Sequence, residues 1–136
     1  MPAYNFQRQF VEPILALEKP HTIRPERKHP TKVGDALYLY TGMRTKKCKL
    51  IAMTSCIDVK WIGIYIRPNL DPFVMIGGRV LRTFELYRLA RRDGFASEND
   101  FFTFFLRYPR EVREHDLRLI LWSTKELVNC WEVVPR

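Results

Sequence analysis

The stretch from Cys48 to Pro68 constrains the fold most. It carries Ile51, Thr54, Ile57, Val59, Ile62, Ile64 and Ile66, with Gly63 as its one glycine and no proline before its last residue. β-Branched side chains are restricted in a helix and pack well on a pleated surface, so the segment predicts one or two long strands. Its surroundings extend the reading. Val33-Gly34-Asp35 is a turn signal, and Ala36 to Tyr40 follows it as a strand. Thr41 to Lys47 reads as a loop, and Phe73 to Leu81 as two short extended segments joined at Gly77-Gly78. The middle of the chain thus supplies about five strands.

Helical spacing flanks this β-rich middle. Phe10, Val11, Ile14, Leu15 and Leu17 predict a short amphipathic helix over Gln7 to Leu17, with Pro13 in its first or second turn. Lys19 to Pro25 holds two prolines and reads as a turn into a strand, followed by a polar, basic loop from Glu26 to Lys32. Phe84, Tyr87, Leu89 and Ala90 return to helical spacing until Asp93-Gly94, where the glycine is a natural stop. Ser97 then caps a second helix that runs to about Tyr108 and ends at Pro109. Leu117 to Trp122 is a further β-like run, and residues 128–134 fit no single pattern. No repeat, low-complexity tract or linker divides the chain, so residues 1–136 form one domain. The expected class is α+β, with a small, strongly curved sheet closed or nearly closed into a barrel of about five or six strands and helices outside it. A barrel of this size is filled by its own side chains, which leaves a rim or a cleft beside the helices for a ligand.

Composition excludes several classes. With 46% hydrophobic residues in 136, the chain can build a core and is not a disordered tail. No apolar run approaches the roughly 20 residues of a membrane-spanning helix, and the first residues show no basic segment leading into an apolar one. The expectation is a cytoplasmic protein with no membrane partner. Cys48, Cys56 and Cys130 are an odd number at wide spacing, so buried thiols are expected rather than a disulfide framework. His21, His29 and His115 are scattered, and neither a metal nor another cofactor is expected.

Charge points toward a partner. The net charge is +8, and residues 1–50 hold ten Lys/Arg against four Asp/Glu. Such a clustered excess is the footprint of a protein that meets phosphates. Within that third, Lys19, His21, Thr22 and Arg24 surround a proline-forced turn. Thr22 and Arg24 are two apart on the expected strand and project from one face. A Thr hydroxyl beside a Lys amine is one way to activate a weak oxygen nucleophile, if burial or neighbouring cations lower the Lys pKa.

These residues carry a resemblance. Lys19-Pro20-His21-Thr22-Ile23-Arg24, followed by Val33-Gly34-Asp35-Ala36-Leu37, resembles the signature of the ASCH domain family, G-x-K-x-x-x-x-R and then a Gly-Asp strand start. Leu17 stands where that glycine falls. Asp93-Gly94-Phe95-Ala96-Ser97, the Phe-rich helix ending at Tyr108-Pro109, and Leu119-Ile120-Leu121-Trp122 look like the family's later stretches. The resemblance implies a PUA-like barrel with flanking helices and a cleft lined by Lys19 and Arg24. It implies association with RNA or a modified nucleoside. Some small bacterial relatives remove the acetyl group from N4-acetylcytidine with a Lys, a Thr and a Glu, and another member is described as a ribonuclease. On that pattern the catalytic group here is Lys19, Thr22 and Asp93, with Asp in place of Glu, and Arg24 positions the ligand.

Other residues enter as binding candidates. Tyr38, Tyr40, Trp61 and Tyr65 are strand aromatics that can stack bases or pack the barrel, and Tyr40 is retained as a ligand contact. Arg44, Lys46 and Lys47 lie in a loop suited to phosphates. Arg91 and Arg92 are explained by the negative end of a helix, and Phe101 to Phe105 by the core. Two readings follow from the sequence. In one, the domain binds RNA or a modified nucleoside in a basic cleft; in the other, the same cleft hydrolyses N4-acetylcytidine or cleaves RNA.

Overall fold

A computed structural model describes residues 2–131 and has an α+β fold. The chain opens with β1 (Ala3–Phe6), whose Tyr4 and Phe6 are buried while Asn5 between them is exposed. A 3-10 turn over Arg8–Phe10 runs directly into α1 (Val11–Leu15). Pro13 falls in the first turn of α1, where its missing N–H leaves no helical bond unmade. β2 (His21–Pro25), β3 (Ala36–Thr41) and the 17-residue β4 (Lys49–Tyr65) follow.

β4 is the spine of the sheet. Its first half pairs with β3 and with the short β8 (Val128–Asn129), and its second half with β7 (Leu117–Trp122) and β5 (Phe73–Ile76). One strand replaces the one or two expected, because no proline interrupts it and a bulge between Cys56 and Asp58 absorbs the bend between its halves. Gly77 and Gly78, both with positive φ, make the tight turn from β5 to β6 (Arg79–Val80).

Eight strands form one mixed sheet, and its pairings do not close into a ring. β1 lies parallel to β3, and β2 antiparallel to β7. Between β1 and β2 there is no ladder; the seam is bridged by side chains. Alternate carbonyls of β1 face away from β3, and Arg24 and Arg27 donate to two of them, those of Asn5 and Ala3. Guanidinium groups thus satisfy a strand edge that would otherwise lack partners.

Three further helices flank the sheet: α2 (Thr83–Arg92), α3 (Glu98–Phe105) and α4 (Arg110–His115). The Ser97 hydroxyl accepts from the Asp100 N–H and caps α3 as expected. α3 ends before the expected Tyr108, and Pro109 does more than close it, since it is the N-cap of α4. The core joins Ile14, Leu37, Leu39, Ile51, Ile64, Val74, Phe101 and Trp122 across both halves of the sheet and the helices. Of the cysteines only Cys56 is buried; Cys48 is exposed and Cys130 half-buried, and all three are free. No helix among the described residues is long and apolar enough to cross a membrane. The ambiguous segment 128–134 is described only as far as Trp131, and residues 132–134 lie outside the described residues.

Candidate functional site

Two helix ends build the site. α1 closes with Leu17 in the left-handed region at φ 64°, the Leu17 N–H on the Ile14 carbonyl and the Glu18 N–H on that of Pro13. The glycine of the resembling signature is absent here, but the backbone it would favour is kept. α2 closes in the same manner at Gly94, φ 101°, with Gly94 bonded to Arg91 and Phe95 to Ala90. At Gly94 a Cβ would come within 2.6 Å of the Phe10 ring, so only glycine fits. The first closure delivers Lys19 and the second Asp93, which meet across 74 residues of sequence.

The Lys19 Nζ donates to Asp93 Oδ1 at 2.8 Å and to the Asp93 backbone carbonyl at 2.7 Å. The second bond satisfies a carbonyl at the end of α2 that has no helical partner. The rings of Phe6 and Phe10 lie 5.6 and 5.0 Å from the ammonium and add their negative faces. The His21 Nε2 stands 3.4 Å from the same Asp93 oxygen, too poorly aligned to count as a hydrogen bond. Lys19, His21, Thr22 and Asp93 are all buried.

Burial decides the protonation balance at Lys19. Removal from water pushes its ammonium below the ordinary 10.5, Asp93 opposes that shift, and Arg24 adds to it. Burial alone would raise the Asp93 carboxyl, but Lys19 and His21 outweigh it and hold the group below 3.8. Arg24 is likewise lowered by burial. Its Nε donates to the Thr22 hydroxyl at 3.0 Å, so the two do project from one face of β2.

Except for His21, these groups line one cleft of about 240 Å³ at the β1–β2 seam. Asn5, Phe6 and Gln7 form one wall, Thr22 and Arg24 another, and Phe104, Arg107 and Tyr108 at the end of α3 the third, with Lys19 and Asp93 between them. Lys19, Thr22, Arg24 and Asp93 therefore converge. The other candidates lie elsewhere. Tyr40 is half-buried on β3, opposite Asn5 of β1, and is not on the cleft wall. Arg44, Lys46 and Lys47 are exposed in the loop between β3 and β4, with Lys47 lining a separate groove. Trp61 is exposed beneath the Arg118 guanidinium, and Tyr65 stacks on Phe73 at 4.6 Å.

Sequence reading missed Asn5, Gln7, Arg107 and Tyr108, and it assigned Phe104 wholly to the core. Phe104 is half-buried, with the Arg107 guanidinium 3.6 Å from its ring centre. The available signal was the Tyr108-Pro109 break, since residues just past a helix end are free to line a cleft. Among the described residues no group of three His, Cys, Asp or Glu side chains is placed to hold a metal ion. No family model matches the chain, and no curated protein matches it. The site must therefore be interpreted from its own chemistry.

Proposed function

We propose that this chain is an ASCH-type domain of PUA-like fold whose seam cleft receives a base of RNA or of a modified nucleoside. On this reading the curved sheet is the family's barrel, with its last gap bridged by Arg24 and Arg27. The observation that carries the proposal is the convergence of Lys19, Thr22, Arg24 and Asp93 on one open cleft, together with the aromatic walls of Phe6, Phe104 and Tyr108. At about 240 Å³ the cleft is smaller than the roughly 300–1,000 Å³ of drug-sized sites and suits a single base. Aromatic faces stack bases, while Arg24, Thr22 and Arg107 offer donors to base edges and ribose. Calorimetric titration with cytidine and N4-acetylcytidine tests the proposal. Tyr108→Ala and Arg107→Ala, both at the cleft mouth, are expected to weaken binding about tenfold each, consistent with about 1–3 kcal/mol for a stacked base. Absence of binding at millimolar nucleoside contradicts it.

A second reading is favoured by one observation, the burial that lowers the Lys19 ammonium. A neutral Lys19 can take the Thr22 hydroxyl proton as Oγ attacks the acetamide carbonyl of N4-acetylcytidine. As the C–N bond breaks, the proton that Lys19 took from Thr22 passes by way of the Asp93 carboxylate to the departing exocyclic nitrogen, and water then hydrolyses the acetyl-Thr22 ester to release acetate. Asp93 already holds Lys19 through Oδ1, which ties its proton transfer to that of the amine. Chromatography for released cytidine tests the hydrolase, and the same assay with labelled RNA tests a ribonuclease. Thr22→Val is expected to abolish either activity.

A further inference from the structure

Beside the cleft lies a second groove of about 560 Å³, walled by Arg8, Lys47, Lys49 and Trp131 over Thr41 and Thr45. Its cations are held in place. The Arg8 guanidinium lies 4.7 Å and the Lys49 ammonium 4.0 Å from the indole centre of Trp131, so one ring fixes two long side chains. The loop that carries Lys47 is equally set. The Thr45 hydroxyl donates to the Gly42 carbonyl at 2.6 Å and accepts from the Lys47 N–H at 3.1 Å. A Cβ on Gly42 would come within 2.8 Å of the Lys47 carbonyl oxygen, and its φ is 67°.

Among the described residues no acid lines this groove. Residues 41–49 hold Arg44, Lys46, Lys47 and Lys49 and no acid. Among the described residues Arg8, Lys47 and Lys49 take part in no ion pair. Like charges gathered in one groove repel each other, and a polyanion relieves that repulsion. The groove also adjoins the cleft. Asn5, Phe6 and Gln7 line the cleft, and the next residue, Arg8, lines the groove. The Met43 N–H donates to Asn5 Oδ1 at 2.9 Å, which ties the groove's loop to the cleft wall.

We propose that this groove holds the sugar-phosphate backbone next to the base in the cleft, so that the ligand is a single-stranded polynucleotide rather than a free nucleoside. The inference rests on the base-binding reading above and adds the chemical class of the ligand. A free nucleoside has no phosphate and gains nothing from the groove. An acidic polypeptide would use the cations equally well but would leave the base-sized cleft at the groove's end without a role.

The test compares cytidine with a cytidine-rich RNA of about eight nucleotides over a series of salt concentrations. The variants are the triple Arg8→Ala, Lys47→Ala, Lys49→Ala and the milder pair Lys47→Gln, Lys49→Gln, none of which touches the cleft. The RNA is expected to bind at least tenfold more tightly than cytidine at low salt. Three phosphate contacts at about 0.7 each predict that the triple variant lowers the log–log salt slope by about 2, and the pair by about 1.4. Cytidine affinity is expected to stay unchanged in both. RNA no tighter than cytidine, an unaltered slope, or polyglutamate competing as well as RNA overturns the proposal. RNA binding that loses its salt slope in the triple variant, yet ignores Tyr108→Ala and Arg107→Ala, contradicts the base-in-cleft reading and leaves the groove as a polynucleotide site.

Discussion

Lys19 and Asp93 are almost wholly buried at the floor of the cleft, and the cost of breaking that pair is set by the charge left behind. Lys19→Met is expected to destabilise the fold by about 3–5 kcal/mol in urea denaturation, because Asp93 remains buried beside only a poorly aligned His21. Adding Asp93→Leu to it is expected to recover most of the loss, since an apolar pair leaves no uncompensated ion. Titration of the two groups bends stability in one direction. Asp93 has its folded pKa below 3.8, so its contribution is present above that value and is lost as pH falls through the folded pKa. Lys19 has its folded pKa below 10.5, so the unfolded chain binds the extra proton and stability rises with pH between the folded pKa and 10.5. Asp93→Asn is expected to shrink the acid arm of a plot of unfolding free energy against pH, leaving the part contributed by the arginine-paired carboxyls of Glu85 and Glu114; an unchanged arm contradicts the assignment. Lys19, Thr22 and Arg24 were legible because they fall within six consecutive residues and two share a strand face. Asp93 entered through the family resemblance and the glycine stop after it. His21 was noted in the motif, but its approach to Asp93 was not legible, because nothing in the sequence says which loops the fold brings together.

The elements that place these residues are governed by two left-handed helix closures, one on leucine and one on glycine. Leu17→Gly is expected to stabilise the protein by about 1 kcal/mol, because a left-handed conformation costs an L-residue about 1–2 kcal/mol and the exposed leucine loses little packing. Gly94→Ala is expected to cost about 2–4 kcal/mol, from the same backbone penalty and the collision with Phe10. Thermal or urea denaturation checks both, and equal effects at the two positions contradict the role given to Phe10. At the other end of α2, Glu85 accepts from the Arg82 N–H at 2.9 Å and takes both arms of the Arg79 guanidinium at 2.8 Å. These bonds hold its carboxyl at about 2, and Arg79→Ala is expected to return it toward 4.5 in an NMR titration. Most elements were legible from periodicity and turn residues: the β5–β6 turn from Gly77-Gly78, the ends of α2 and α3 from Gly94 and Ser97. α4 was not, since in six residues it has Val112 as its one aliphatic side chain and buries Arg113 and Glu114, leaving no apolar period to detect. β1 was missed because four residues give only two turns of alternation.

At the scale of the whole molecule, the sheet leaves one seam unpaired, and the seam is where the chemistry gathers. The α+β class follows from the order of elements, but closure of a sheet depends on edge contacts between distant strands, which periodicity does not encode. Here the edge carbonyls of β1 are taken by Arg24 and Arg27, and Arg24 also charges the cleft. Of the basic residues in the first third, Lys19 and Arg24 line the cleft and Arg8, Lys47 and Lys49 the groove beside it, a division that no count of charges distinguishes. The central claim is that the seam cleft is a base-binding site. Titration of cytidine into labelled protein, followed by backbone and side-chain NMR shifts, tests it most directly. The account predicts saturable changes confined to Asn5, Thr22, Arg24, Asp93, Arg107 and Tyr108 and their neighbours. No saturable change at millimolar cytidine, or changes centred on the exposed face of α2 instead, would contradict it.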